Sequence, residues 1–289
     1  MSERNQELAD FLRRARSKVD PARTGLPADG RVRRVPGLRR EEVAQLAQVS
    51  ADYYTRLEQG RRISPSPTVV DAIARALALD EAGHAHLRHL IGGSGHAARP
   101  RTPVRVQRPR PGLVQLLDAL DGVAGMVLGR RTDVLATNRL ARTLLTDFDR
   151  LPARDRNYAR WMFLSGSSRE RLVDWDIQAR AVVENLRLDA GRDPRDPGVQ
   201  ELVGELSIAS PQFATWWQAH RVYQRTYGDK RFHHPVVGDF TLQYESLTLP
   251  GDADQTLFLY SAEPGTPHRE ALDLLASWTL TPDYRLTGR

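Results

Sequence analysis

The chain has 289 residues with 42 Lys+Arg, 36 Asp+Glu and no cysteine, so disulfides, zinc fingers and thiol catalysis are excluded. The N-terminus is polar, and no apolar run approaches the roughly 18 residues of a membrane span, so a soluble cytoplasmic protein with no membrane partner is expected. The length suggests two domains, and charge divides them: residues 1–110 hold 21 Lys+Arg against 12 Asp+Glu, whereas residues 111–289 hold 21 against 24. A basic N-terminal part suits a polyanion bound through counter-ion release.

In chain order, the first predicted element is an amphipathic helix from about Asn5 to Lys18, with Leu8, Phe11, Leu12 and Ala15 on one face. A long connection follows, broken by Pro21, Gly25, Pro27, Gly30 and Pro36, which precludes regular helix. Its Arg31, Arg33 and Arg34 have two readings: an arm that reaches phosphates or the minor groove, or a solvated basic loop.

The stretch GLRREEVAQLAQVSADYYTRLEQGRR, residues 37–62, predicts two short helices around a tight turn. Val43, Leu46 and Ala47 make an inward stripe on a helix over about 39–47. Ser50 is positioned as the N-cap of a second helix over 51–59, whose inner face is Tyr54 and Leu57. Ala51, Asp52, Thr55, Arg56 and Gln59 remain on its outer face. Gly60 stops the helix, because glycine takes the left-handed C′ conformation without strain.

VSADYYTRLEQGR resembles the helix-turn-helix of the xenobiotic-response-element type, the group that includes the phage repressors. The resemblance implies that the second helix enters the major groove, with Ala51, Asp52, Thr55 and Arg56 at base edges and Gln59 beside them. Arg56 could then pair with guanine O6 and N7, and Asp52 could accept from cytosine N4. Arg39 and Arg40 at the front of the motif, and Arg61 and Arg62 behind it, are expected on the DNA backbone, where contacts position rather than specify. One departure is Gln48, where the pattern usually has glycine; a left-handed Gln48 costs roughly 1 kcal/mol.

Ser66-Pro67 opens a fourth helix with Val69, Val70, Ile73, Ala74 and Leu77 inward, and Asp80 caps a fifth that ends at Gly92-Gly93. His84, His86 and His89 have no carboxylate or cysteine at metal-ligand spacing, and no metal or cofactor is assigned. Residues 1–92 thus form an expected five-helix domain, and the basic, Pro-rich stretch 93–111 an interdomain linker.

Residues 112–282 read as an α+β domain. A short helix over Leu113–Leu120 precedes strand-like runs at 124–128 and 133–137 that form a hairpin, and Asn138 starts a further helix. Helices are predicted over 157–163, 173–190 and 198–210, strands over 240–249 and 256–261, and a last helix over 268–278. The stretches MVLGRRTDVLATN, ENLRLDAGRDPRDP, FATWWQAHRVYQRTYGDKRFHHPVVGDFTLQYESL and FLYSAEPG resemble the ligand-binding domain of MmyB-like regulators, which is similar to a PAS fold. The resemblance implies a transcriptional regulator with a small apolar or fatty-acid-like effector.

Trp161, Trp175, Trp216 and Trp217 lie close in sequence, and either line an apolar pocket, fill a core or make a dimer interface. Arg180 and Arg187 are the candidates for an acidic head group. His233-His234 with Asp229 and Asp239 is read as a strand-ending turn rather than an acid–base site, and SGSS at 165–168 lacks the setting of a nucleophile elbow. No enzyme is expected. Only Lys18 and Lys230 among the 42 basic residues are lysines, a bias to which no function is assigned. The expected protein is a DNA-binding regulator that acts as a homodimer on a double-stranded operator. The alternatives are a ligand-independent regulator whose C-terminal domain only dimerises, and an enzyme tethered to DNA.

Overall fold

The computed structural model describes residues 5–25, 36–61, 63–92, 107–193, 196–220 and 226–278. The chain forms two compact units. Unit 1 takes its residues from 1–103, 184–200 and 215–224, and unit 2 from 104–183, 201–214 and 225–289.

Unit 1 contains the five-helix domain: α1 (Gln6–Lys18), α2 (Arg40–Leu46), α3 (Ala51–Glu58), α4 (Pro67–Ala76) and α5 (Glu81–Gly92). Side-chain caps fix several starts. Asn5 accepts from Leu8 N, Ser50 from Tyr53 N, Ser66 from Val69 N and Asp80 from Gly83 N. Each cap satisfies an amide that the helix leaves unpaired. The apolar faces converge on one core that includes Leu8, Leu12, Leu38, Val43, Tyr54, Leu57, Ile73 and Leu87. The turn between α2 and α3 places Gln48 at φ 55°, in the left-handed region, at the position where this pattern usually has glycine. Gly60 is required twice over. Its φ is 67°, and a β-carbon there would fall 2.3 Å from the Asn5 carbonyl oxygen.

Unit 2 begins with α6 (Pro111–Asp118) and the hairpin β1 (Ala124–Leu128) and β2 (Val134–Thr137), followed by α7 (Arg139–Leu144), α8 (Tyr158–Leu164) and α9 (Gly166–Arg171). Next come α10 (Trp175–Arg192), α11 (Pro197–Ala209) and α12 (Pro211–Gln218), whose residues divide between the units. The chain closes with β3 (Tyr227–His234), β4 (Gly238–Leu249), β5 (Asp252–Ser261) and α13 (Pro267–Trp278). The strands make one antiparallel sheet in the order β2-β1-β5-β4-β3. This is the expected PAS-like α+β arrangement behind an all-α domain.

Two buried asparagines hold the irregular connections of unit 2. Asn138 Oδ1 accepts from Gly125 N and Ala141 N, while its Nδ2 donates to Val123 O and Leu117 O. Asn157 Nδ2 donates to Arg131 O and Asp133 Oδ1, and its Oδ1 caps α8 through Arg160 N. Both therefore satisfy backbone groups that no ladder reaches.

The sequence reading missed β3, α9 and α12. In β3 the buried, inward positions are Lys230, Phe232 and His234, so two of the three are polar and hide the alternation that marks a half-buried strand. The expected turn at His234 is present. Val237 N donates to His234 O, and Val236 N to the His234 ring. Ser165 does open a helix, α9, but the element before it is α8 rather than a strand.

Candidate functional site

The outer face of α3 is built from the inside out. Tyr54, Leu57 and Glu58 are buried, and this leaves Ala51, Asp52, Arg56 and Gln59 exposed and Thr55 half-buried. Arg56 and Asp52 form an i,i+4 ion pair at 2.8 Å with both side chains more than half exposed. Such a pair contributes only about 0.3–0.5 kcal/mol. It therefore orders the two side chains and yields readily to a stronger partner.

Beneath this face lies a compensated charge cluster. Glu58, 1% exposed, accepts two bonds from Arg16, at 2.8 and 3.0 Å, and one from Arg40 Nε at 3.1 Å. Arg16 also donates to Leu38 O. Burial opposes the charge on Glu58, but the two guanidinium groups more than offset it and hold its carboxyl below the usual range. The cluster joins α1, α2 and the last turn of α3, so it fixes the pose of the helix that carries the outer face.

The flanking arginines differ from one another. Arg39 is half-buried, and its backbone N–H donates to Glu42 Oε2 at 2.7 Å. Arg40 is about half exposed while bound to Glu58. Arg61 is exposed just past Gly60, held by a backbone bond to Arg56 O. Arg31, Arg33, Arg34 and Arg62 lie outside the described residues.

The residues considered for an effector divide between the units. Trp161 and Trp175 are core residues of unit 2. The Trp161 indole donates to Ser167 Oγ, and that of Trp175 to Met162 O. Arg180, also in unit 2, is exposed. Arg187, Trp216 and Trp217 belong to unit 1. Arg187 is buried there, lies 3.7 Å above the Trp217 ring, donates to Trp217 O, and pairs with Glu7 at 3.2 Å. Burial lowers its pKa to about 10 despite Glu7, and burial likewise raises Glu7 despite Arg187. The pair is thus held at a desolvation cost.

Next to it His86 is 1% exposed with neither ring nitrogen hydrogen-bonded, and burial pushes its pKa down to about 3. It packs edge-on against Phe11 and fills the space where a β-carbon on Gly191 would stand. His84 pairs with Asp71 at 2.8 Å. Among the described residues no group of three His, Cys, Asp or Glu is placed to hold a metal, and no described helix is long and apolar enough to cross a membrane.

A residue that the sequence reading left unassigned stands out in unit 2. Lys230 of β3 is 7% exposed. Burial alone lowers its pKa to about 7. The signal was its residue type: an arginine stays charged wherever it sits, whereas a lysine can lose its proton when buried.

Residues 109–275 match the family model of the MmyB-like transcription regulator ligand binding domain, and residues 7–87 match that of a helix-turn-helix domain. No curated protein matches the chain.

Proposed function

Because the chain belongs to the MmyB-like transcription regulators and carries a helix-turn-helix domain ahead of its ligand-binding domain, we propose that it reads a specific DNA sequence through the outer face of α3 and responds to a small apolar or fatty-acid-like effector. The observation that carries the DNA reading is that face itself: Ala51, Asp52, Arg56 and Gln59 are exposed above a helix whose opposite side is buried. In the major groove Arg56 leaves Asp52 for guanine, and Asp52 is freed for cytosine. Arg39, Arg40, Arg61 and Arg62 take phosphates, and Arg31, Arg33 and Arg34 add contacts to phosphates or the minor groove.

One such module contacts few base pairs, so the protein acts as a homodimer on two half-sites, in the cytoplasm where the operator lies. The C-terminal domain shifts the DNA-competent state through an effector that has unequal affinity for two conformations.

Substitutions separate the roles. Arg56→Ala relaxes base preference at one position by about 1–3 kcal/mol, whereas Arg61→Ala weakens all sequences alike and lowers the salt slope by about 1. Fluorescence anisotropy on matched and mismatched duplexes reads both; identical effects from the two variants overturn the assignment. Native mass spectrometry of the purified protein tests the effector. A co-purified apolar molecule supports the sensor, and an empty dimer supports a domain that only dimerises.

A further inference from the structure

Strand register places Tyr260 opposite Tyr244, Tyr244 opposite Gly228, and Leu242 opposite Lys230. Paired residues share a face of the sheet, so Lys230, Tyr244 and Tyr260 point to the same side, and Tyr158 of α8 covers them. The Lys230 ammonium lies 5.0 and 5.1 Å from the ring centroids of Tyr260 and Tyr244, and 6.0 Å from that of Tyr158. It donates to Tyr260 Oη at 3.3 Å. Tyr158 Oη is buried beside Tyr260 without a hydrogen bond of good geometry.

Among the described residues no carboxylate pairs with this lysine. Three ring faces offset part of its desolvation, on the order of 1 kcal/mol each at best, and the cost of a buried ion is several times that. An apolar side chain of the same length would fill the space more cheaply. A cation kept in a buried aromatic box, beside the hydroxyls of Tyr158 and Tyr260, is a site built for a group of opposite charge.

We propose that Lys230, with the hydroxyls of Tyr158 and Tyr260, anchors the carboxylate of a small apolar acid inside the sheet-and-helix core of the ligand-binding domain. One ammonium and two neutral donors match a single negative charge; a phosphate dianion would leave charge uncompensated. The apolar body of the acid meets the rings of Phe232, in edge contact with Tyr260, and Trp161, beside Tyr158. This rests on the reading that the domain binds an apolar effector, and it assigns the head group to Lys230 in place of Arg180 or Arg187. Binding draws Lys230 fully to its ammonium form, so the complex takes up a proton near neutral pH. Among the described residues the ionisable groups that face Lys230 are the phenols of Tyr158, Tyr244 and Tyr260. Burial raises Tyr158 and Tyr260 above the usual tyrosine range.

Isothermal titration of the full-length protein with octanoate and with 1-octanol tests the assignment. Wild type is expected to bind octanoate at least about tenfold more tightly, with a heat that depends on buffer ionisation and an affinity that falls as pH rises from 7 to 9. Lys230→Met should bind both compounds alike and keep its octanol affinity. The proton uptake and pH profile are read on wild type, so the test stands even if the variant does not fold. Equal binding of both compounds by wild type, or an octanoate preference retained in Lys230→Met, overturns the anchor and leaves the apolar-effector reading in place. Binding of neither compound overturns both.

Discussion

Glu58 in unit 1 and Lys230 in unit 2 are both charged side chains with almost no solvent exposure, and the chain treats them in opposite ways. Glu58 receives three charge-assisted bonds from Arg16 and Arg40. Lys230 receives one weak phenolic partner and three ring faces. A compensated buried charge holds elements in register, and here it seats α3 against α1 and α2. An uncompensated one is a standing cost, and such a cost is explained by a partner that comes and goes. Arg187 with Glu7 lies between these cases: it is paired, but the pKa of each is displaced against its charge.

Removal of the Glu58 carboxylate has the largest expected effect. Glu58→Gln strands the Arg16 guanidinium and should cost about 3–5 kcal/mol in urea unfolding. A loss below about 1 kcal/mol would show that the arginines simply turn to water, and the cluster would then not be what seats α3. The carboxyl also has a pH signature. Its folded pKa is lowered, so its contribution is present above the unfolded value near 4.5 and is lost as pH falls through the folded value.

Lys230 should behave inversely. Its folded pKa is about 7 against 10.5, so the folded state binds fewer protons than the unfolded chain between these values, and stability should rise with pH from about 7 to 9 by up to about 1.4 kcal/mol per unit. Lys230→Met should stabilise the protein at pH 7 by about 1–4 kcal/mol and flatten that rise. Destabilisation by Lys230→Met would mean that the ammonium already has an adequate partner in the protein itself.

Smaller effects come from the intermediate case. Glu7 is partly exposed, so Glu7→Gln should cost about 1–3 kcal/mol, and Met at both Glu7 and Arg187 should recover most of it. Thermal melts of the single and double variants form the cycle. His86 provides a final check of unit 1. Its folded pKa, about 3 against 6.5, means that stability is complete above pH 6.5 and is lost as pH falls toward 3. His86→Leu should remove up to about 1.4 kcal/mol per pH unit of that slope between pH 6 and 4; an unchanged slope would place the titration elsewhere.

Legibility in the sequence followed the range of the interactions. Ser50, Ser66, Asp80 and Asn138 were readable as caps because each acts on an amide three residues away. Gln48 was readable as the turn position where the pattern usually has glycine, and the structure places it in the left-handed region. The outer face of α3 emerged from helical spacing alone. β3 did not, since its inward residues make sense only against Tyr158 from α8 and Tyr260 from β5, which stand 72 residues before and 30 after Lys230. The four tryptophans were close in sequence, yet Trp161 and Trp175 are in one compact unit and Trp216 and Trp217 in the other. Chain proximity was no guide to membership of one compact unit. Arg16 was likewise unremarkable in the sequence, because its partner Glu58 is 42 residues away.

Selection from a random duplex pool shows whether the outer face of α3 reads DNA sequence. Wild type should enrich one motif, with two half-sites about 10–10.5 base pairs apart for a dimer, and Arg56→Ala should lose the preference at one position of each half-site. A pool that stays at its input composition, or a motif that Arg56→Ala selects unchanged, would mean that this face does not read the sequence.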